Sequence, residues 1–225
     1  DKSGTARYKW YDHNTGKRLR GRPVTHNSFI NEIENEYKRI DNKWLRLHFD
    51  TAIVLVAFGF VVELILGTVY YKTGSVVISP TKYYLKYLAA PLGVNLLALL
   101  IGYFTLRSVH VKQQTKLYVA SLLFVVICFV FFTVHSVMPS LFFIFSVPML
   151  MTIVYNDNTL TTVTSFSSIF AFVISDLFVV WDPDRTRVFD TDLGVVNFAV
   201  AICILVAFFA VCLVVISFER QKNSA

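Results

Sequence analysis

GVVNFAVAICILVAFFAVCLVVISF, residues 194–218, carries no charged side chain from end to end. At about 1.5 Å of rise per residue, such a helix is long enough to cross the roughly 30 Å hydrocarbon core of a bilayer. Comparable apolar runs occupy about 49–71, 83–106, 117–135, 139–155 and 159–180. A soluble fold has no way to hide several segments of this length. Composition agrees: 55% of residues are hydrophobic and 16% charged, with a mean hydropathy of +0.57, against about 25% charged in a soluble domain. The expected fold is therefore all-α, a polytopic integral membrane bundle of six transmembrane helices.

The run 139–155 is the weakest of the six, being short, opened by Pro139 and interrupted by Pro148. Pro139 suits a first helical turn, whereas Pro148 should kink the helix. A re-entrant segment is the alternative there, and it would leave the chain ends on opposite sides. A full span is the expectation.

Lys/Arg bias sets the orientation. The tail up to residue 48 holds 11 basic residues, the loop after the second span adds Arg107, Lys112 and Lys116, and the carboxyl end adds Arg220 and Lys222. The opposite side has only Lys72, Lys82, Lys86, Arg185 and Arg187, crowded by Asp182, Asp184, Asp190 and Asp192. Both ends are expected inside. Tyr70, Tyr71, Tyr83, Tyr84, Tyr87 and Trp181 then fall where an outer interfacial belt belongs. The net charge of +6 is segregated rather than woven among exposed aromatics, so it argues for a membrane and against nucleic acid.

Residues 1–48 read as a basic cytoplasmic tail. Lys17, Arg18, Arg20 and Arg22 suit either anionic headgroups or solvent. From Ser28 to Leu47 the pattern changes: Ile30, Ile33, Tyr37, Ile40, Trp44 and Leu47 alternate spacings of three and four, one apolar stripe on an amphipathic helix. Ser28 is its expected N-cap, with Glu32 and Glu34 near the positive end of the dipole. The stripe fits a helix lying in the interface or one paired with a second copy.

Ionisable groups inside spans usually face the bundle interior, which makes Glu63, His135 and Asp176 candidates for function, joined by neutral Asn95 and Asn197. In the inside-to-outside order of the spans, all but Asn95 fall toward the outer surface. An outer, water-accessible pocket lined by Glu63, His135, Asp176, Asn197 and Asn95 is the expected ligand site. The competing reading has these groups snorkel to water or satisfy one another in static hydrogen bonds. Thr164, Ser168, Ala171 and Ser175 form a small-residue face in the fifth span, suited to close packing, while Thr161, Thr162, Ser165 and Ser167 would serve a hydrophilic path.

Cys128, Cys203 and Cys212 each lie within an apolar run, which predicts inert thiols rather than a disulfide framework or zinc site. The sequence holds no H-E-x-x-H, G-x-S-x-G or P-loop pattern and no internal repeat, so no catalytic residue, cofactor or metal is expected, and no inverted-repeat transporter. The chain opens at Asp1 without a signal peptide and reads as a piece of a longer product.

Taken together, Tyr83-Tyr84-Leu85-Lys86-Tyr87 with Pro91 and Asn95, then His135, Pro148, the turn Tyr155-Asn156-Asp157-Asn158-Thr159, and Asn197 ahead of a helix ending Ser217-Phe218-Glu219-Arg220 form a recognisable order. Over residues 49–225 it resembles the N-terminal membrane region of GGDEF diguanylate cyclases from Gram-positive bacteria. The resemblance implies a full-length enzyme that makes cyclic di-GMP from GTP as a dimer held through its output domain. No Gly-Gly-Asp/Glu-Glu-Phe run occurs in this chain, so the segment itself is expected to be the sensor and anchor, not the enzyme.

The expected organisation is thus a tail at 1–48, a bundle at 49–218 and the start of a cytoplasmic connector at 219–225. The expected function is a signal-input region in the bacterial plasma membrane. Its partners would be the lipid bilayer and a small extracellular ligand, and the sixth helix would carry the signal to a cytoplasmic output domain. A small-solute transporter, or the binding subunit of one, is the reading from a different class, and a histidine-kinase sensor region is a third.

Overall fold

The computed structural model describes residues 26–72, 79–135, 139–180 and 192–224, and among them every regular element is helical. Five helices are long and apolar enough to cross a membrane: Lys38–Val69, Pro80–Arg107, Gln113–Val134, Asn158–Leu177 and Gly194–Lys222. A shorter apolar helix, Ser140–Ile153, accompanies them. The chain divides into two compact units, Asp1–Lys43 and Trp44–Ala225. The basic tail up to residue 24, Trp181 of the expected aromatic belt, and the side chains of Ile30, Ile33, Tyr37, Tyr70 and Tyr71 lie outside the described residues.

Helix α1 (His26–Lys72) comprises 47 residues. The backbone of Ser28, the expected N-cap, is part of α1, and its side chain lies outside the described residues. Nothing interrupts α1 near residue 48, since within α1 no Gly or Pro occurs before Gly59. The second compact unit starts at Trp44, and Leu45 and His48 are buried in it. The buried face of α1 is Leu45, His48, Ala52, Val56, Gly59, Glu63 and Gly67, spaced three or four residues apart as one helical stripe demands. Val54, Phe58, Val61 and Ile65 on the other face are exposed, an arrangement suited to lipid rather than water. Of the apolar stripe read between residues 30 and 47, Ile40 and Leu47 are exposed and Trp44 is half-buried.

The second membrane segment is compound. Helix α2 (Pro80–Tyr83) starts with Pro80 in its first turn and Ser79 as cap, the Ser79 Oγ accepting from the Lys82 N–H at 3.4 Å. A π-helical turn, Tyr84–Ala89, then leads into α3 (Ala90–Arg107). The Ala90 N–H reaches back five residues to the Leu85 carbonyl. The reason is Pro91, which lacks an N–H and whose ring would clash with the carbonyl four residues earlier; a widened turn just before it relieves both.

Helix α4 (Gln113–His135) is the centre of the bundle, with Ala120, Leu123, Phe124, Ile127, Cys128 and Phe132 buried on several sides. A 3-10 segment, Pro139–Phe145, precedes α5 (Ser146–Ile153). The expected kink at Pro148 is thus a change of helix type two residues upstream. That places Pro148 in the first turn of α5, where a missing N–H costs little. The Ile144 carbonyl, which an N–H at residue 148 would otherwise engage, accepts instead from the Cys128 thiol of α4 at 3.5 Å.

The turn at Tyr155–Asp157 holds Asn156 at φ 51°, a left-handed conformation that Asn tolerates better than most residues. Asp157 then caps α6 (Asn158–Val180), its Oδ1 accepting from Thr159 N at 2.8 Å and Leu160 N at 3.2 Å. Helix α6 presents Thr161, Thr164, Ser165, Ser168 and Ser175, all fully buried, and packs along α4. Small side chains there let the two backbones approach. Helix α7 (Asp192–Ser224) buries only a narrow line, Ala201, Leu205, Cys212 and Ile216, so it lies at the edge of the bundle. Phe132, Phe142, Phe145, Phe172 and Phe198 interlock by edge and stacked contacts and tie α4 through α7 together.

Candidate functional site

Besides the buried hydroxyl face of α6, two places among the described residues gather polar side chains. The first lies between α1, α3 and α4. Glu63 is 5% exposed, and its Oε1 accepts from the Tyr83 hydroxyl at 3.0 Å. Gly67, one turn beyond Glu63, makes this geometry accessible: a Cβ at Gly67 would stand 2.9 Å from Cε1 of Tyr83. With only hydrogen there, the phenol ring lies against α1 and directs its hydroxyl one turn back. Gly59, one turn before Glu63, performs the same service for Phe131 of α4, whose ring would lie 2.6 Å from an added Cβ.

These close approaches frame a cavity of about 30 Å³ lined by Glu63, Asn95, Tyr87, Pro91 and Phe131 together with aliphatic side chains. That volume admits a water or two, whereas pockets for organic ligands run to hundreds of Å³. Asn95 is 7% exposed, and its Oδ1 is buried without a hydrogen-bond partner. The π-helical turn of the second segment contributes Tyr87 and Leu88 to the wall. Tyr83 and Tyr87, expected at the level of an interfacial belt, are buried against the protein, their rings tilted by 52° with centroids 5.2 Å apart. Lys86 lies over the Tyr87 ring at 5.2 Å.

Of the five residues expected to line one outer pocket, Glu63 and Asn95 share this cavity. Asp176 is buried on α6, beside Ser175, whose Oγ hydrogen-bonds Thr133 Oγ1 of α4; it does not line the cavity. Asn197 is exposed on α7. The side chain of His135, at the end of α4, lies outside the described residues. Among the described residues no three His, Cys, Asp or Glu side chains gather as a metal centre.

The second polar place is the opposite end of the bundle. His48 is 1% exposed; its Nδ1 lies 3.0 Å from the Tyr155 hydroxyl and 3.1 Å from the Trp44 carbonyl. Leu45, Leu117, Ala120 and Leu160 pack beneath this contact, with Leu106, Tyr118 and Tyr155 around them. Arg220 of α7 donates from Nε and Nη2 to the Asn156 carbonyl at 3.2 and 2.7 Å. Neither the His48–Tyr155 nor the Arg220–Asn156 pair is visible in the sequence, because each joins residues far apart in the chain. The four-residue spacing of Tyr83 and Tyr87, which puts both on one helical face, was the one local sign that they turn inward together.

No family model matches the chain, and no curated protein or solved structure is significantly similar to it.

Proposed function

We propose that this chain is the sensory and anchoring region of a bacterial signalling protein. It crosses the plasma membrane six times with both ends in the cytoplasm and passes a signal through α7 to an output domain. By the resemblance described above, that domain is a GGDEF diguanylate cyclase.

The observation that carries this reading is the meeting of chain segments at one end of the bundle. Leu45 and His48 of α1, Leu106 of α3, Leu117 of α4, the α5–α6 turn and Arg220 of α7 all contribute there. Such a gathering is what an alternating six-crossing path requires. The segment Pro139–Ile153 is long enough for its part: seven 3-10 residues and eight α residues rise about 26 Å, close to the hydrocarbon thickness. The end where α7 leaves the bundle is the basic one, as the positive-inside rule asks of a cytoplasmic face. Glu63 and Asn95 lie fifteen or more residues along α1 and deep in α3, away from that exit. A polar cavity at one level and a thinly packed helix leaving from the other suit a receiver. A transporter would need a path wider than a cavity of about 30 Å³.

The test is to fuse the chain to a cytoplasmic reporter whose output depends on helix geometry or dimer state. Glu63→Leu and Arg220→Ala are each expected to change basal output with membrane insertion retained. Output indifferent to both variants under every condition tried would sink the sensor reading, and solute uptake by vesicles holding only this chain would favour the transporter.

A further inference from the structure

We propose that the cavity between α1, α3 and α4 binds one alkali cation through the Glu63 carboxylate and the Asn95 Oδ1, with water completing its shell. The inference names the ligand of the site on which the sensor reading rests.

Two oxygen-bearing side chains in the lining, Glu63 and Asn95, supply acceptors. Asn95 presents a buried Oδ1 that nothing in the protein satisfies. Glu63 presents a carboxylate, and the hydroxyl proton of Tyr83 is already donated to its Oε1. Leaving a buried amide oxygen unsatisfied costs about 1–3 kcal/mol, so whatever fills the space should donate hydrogen bonds or carry positive charge. Apart from Tyr87, the rest of the wall is apolar, including Leu55, Val56, Leu92 and Ile127. In such surroundings the field of a carboxylate is poorly screened, which favours a cation over a neutral occupant.

Size narrows the class. A cavity of about 30 Å³ takes an ion of sodium's dimensions with a water or two beside it, and is too small for a quaternary ammonium or a drug-sized organic ligand. Hard monovalent cations accept carboxylate, amide and hydroxyl oxygens, the donor types present here, whereas transition metals would ask for imidazole or thiolate. The π-helical turn Tyr84–Ala89 forms part of the wall, and such turns recur at functional sites because they loosen the regular backbone ladder.

The experiment uses the purified full chain in lipid nanodiscs, its thermal unfolding followed in sodium, potassium or choline chloride at equal ionic strength. Sodium or potassium should raise Tm saturably over choline, as expected when a ligand binds only the folded state. Glu63→Gln keeps the shape and the acceptor for Tyr83 but removes the charge; it should weaken the apparent cation affinity at least about tenfold. Asn95→Leu should abolish the response, while Asn95→Asp, which retains an acceptor, should keep it. Because Asn95→Leu could fail to fold, Glu63→Gln and Asn95→Asp carry the decision. Equal Tm in sodium, potassium and choline would mean a cavity filled by water alone and would overturn the proposal, as would an undiminished response in Glu63→Gln. A cation response with a silent reporter overturns the sensor reading and leaves the site standing. A Glu63-dependent reporter without a cation response does the reverse.

Discussion

The guanidinium of Arg220, near the end of α7, donates two hydrogen bonds to one backbone carbonyl, that of Asn156 in the turn between α5 and α6. The contact is sixty-four residues apart in sequence and exposed, so it holds the exit of α7 lightly. Arg220→Ala should leave global Tm almost unchanged. Local opening of the last turns of α7 should become easier by about 1 kcal/mol, roughly fivefold in amide exchange around Ser217–Arg220. Arg220→Lys should restore only part, since an ammonium lacks the fork that engages the carbonyl from two nitrogens. Exchange unchanged in both variants would show the contact to be idle.

The Tyr83–Glu63 pair is buried and joins α2 to α1. Tyr83→Phe, Glu63→Gln and the double variant form a cycle whose coupling should fall at about 0.5–2 kcal/mol, the range for interhelical polar pairs in membranes. Unfolding in detergent measures it, and strictly additive effects would deny the bond any energetic part.

Gly59 faces the ring of Phe131 where a methyl group has no room. Gly59→Ala should destabilise by about 1–3 kcal/mol, as overpacking does. Adding Phe131→Leu should recover much of the loss, because the clash is with that ring and not with backbone. A Gly59→Ala chain as stable as the wild type would show that α1 and α4 can slide apart freely.

Cys128 supplies a donor to the Ile144 carbonyl because Pro148 cannot. Cys128→Ala should cost more than its small loss of volume implies, by about 1 kcal/mol, and Cys128→Ser should retain the donor. In a Pro148→Ala background the N–H at that position can serve Ile144, so the penalty of Cys128→Ala should shrink. Identical penalties in the two backgrounds would break the link.

Six crossings and five differ at one loop. With native cysteines replaced, Val109→Cys and Thr159→Cys should both resist a membrane-impermeant maleimide in intact cells, while Ser79→Cys should react. All three positions are exposed in the structure. Labelling of Thr159→Cys together with protection of Val109→Cys would instead mean that Pro139–Ile153 dips into the membrane and returns.

Much of the fold was legible because a bilayer imposes a crude, local demand: about 20 apolar residues per crossing with the backbone satisfied within each helix. Residues 194–218 meet it without reference to anything else in the chain, and so do four more helices. The hydroxyl face at Thr164, Ser168 and Ser175 was equally readable, since helical periodicity alone places those side chains together, and they are indeed buried. Glu63 and Asn95 stood out as polar groups in apolar surroundings, which is again a local property.

What tertiary structure decided is which of those groups meet. Periodicity assigns a residue to a face but not to a neighbour, so Asp176 and Asn197 looked equivalent to Asn95 until the helices were packed. Asn95 lines the cavity with Glu63, Asp176 turns up on α6 away from it, and Asn197 stays exposed on α7. Tyr83 reads from sequence as a belt aromatic; only the missing side chain at Gly67, on another helix, lets its ring reach Glu63. The uncharged stretch at 194–218 determined by itself that α7 can lie in a membrane. That α7 sits at the edge of the bundle and is fastened through Arg220 depends on the turn at Asn156, sixty-four residues earlier, and no local rule reaches that far.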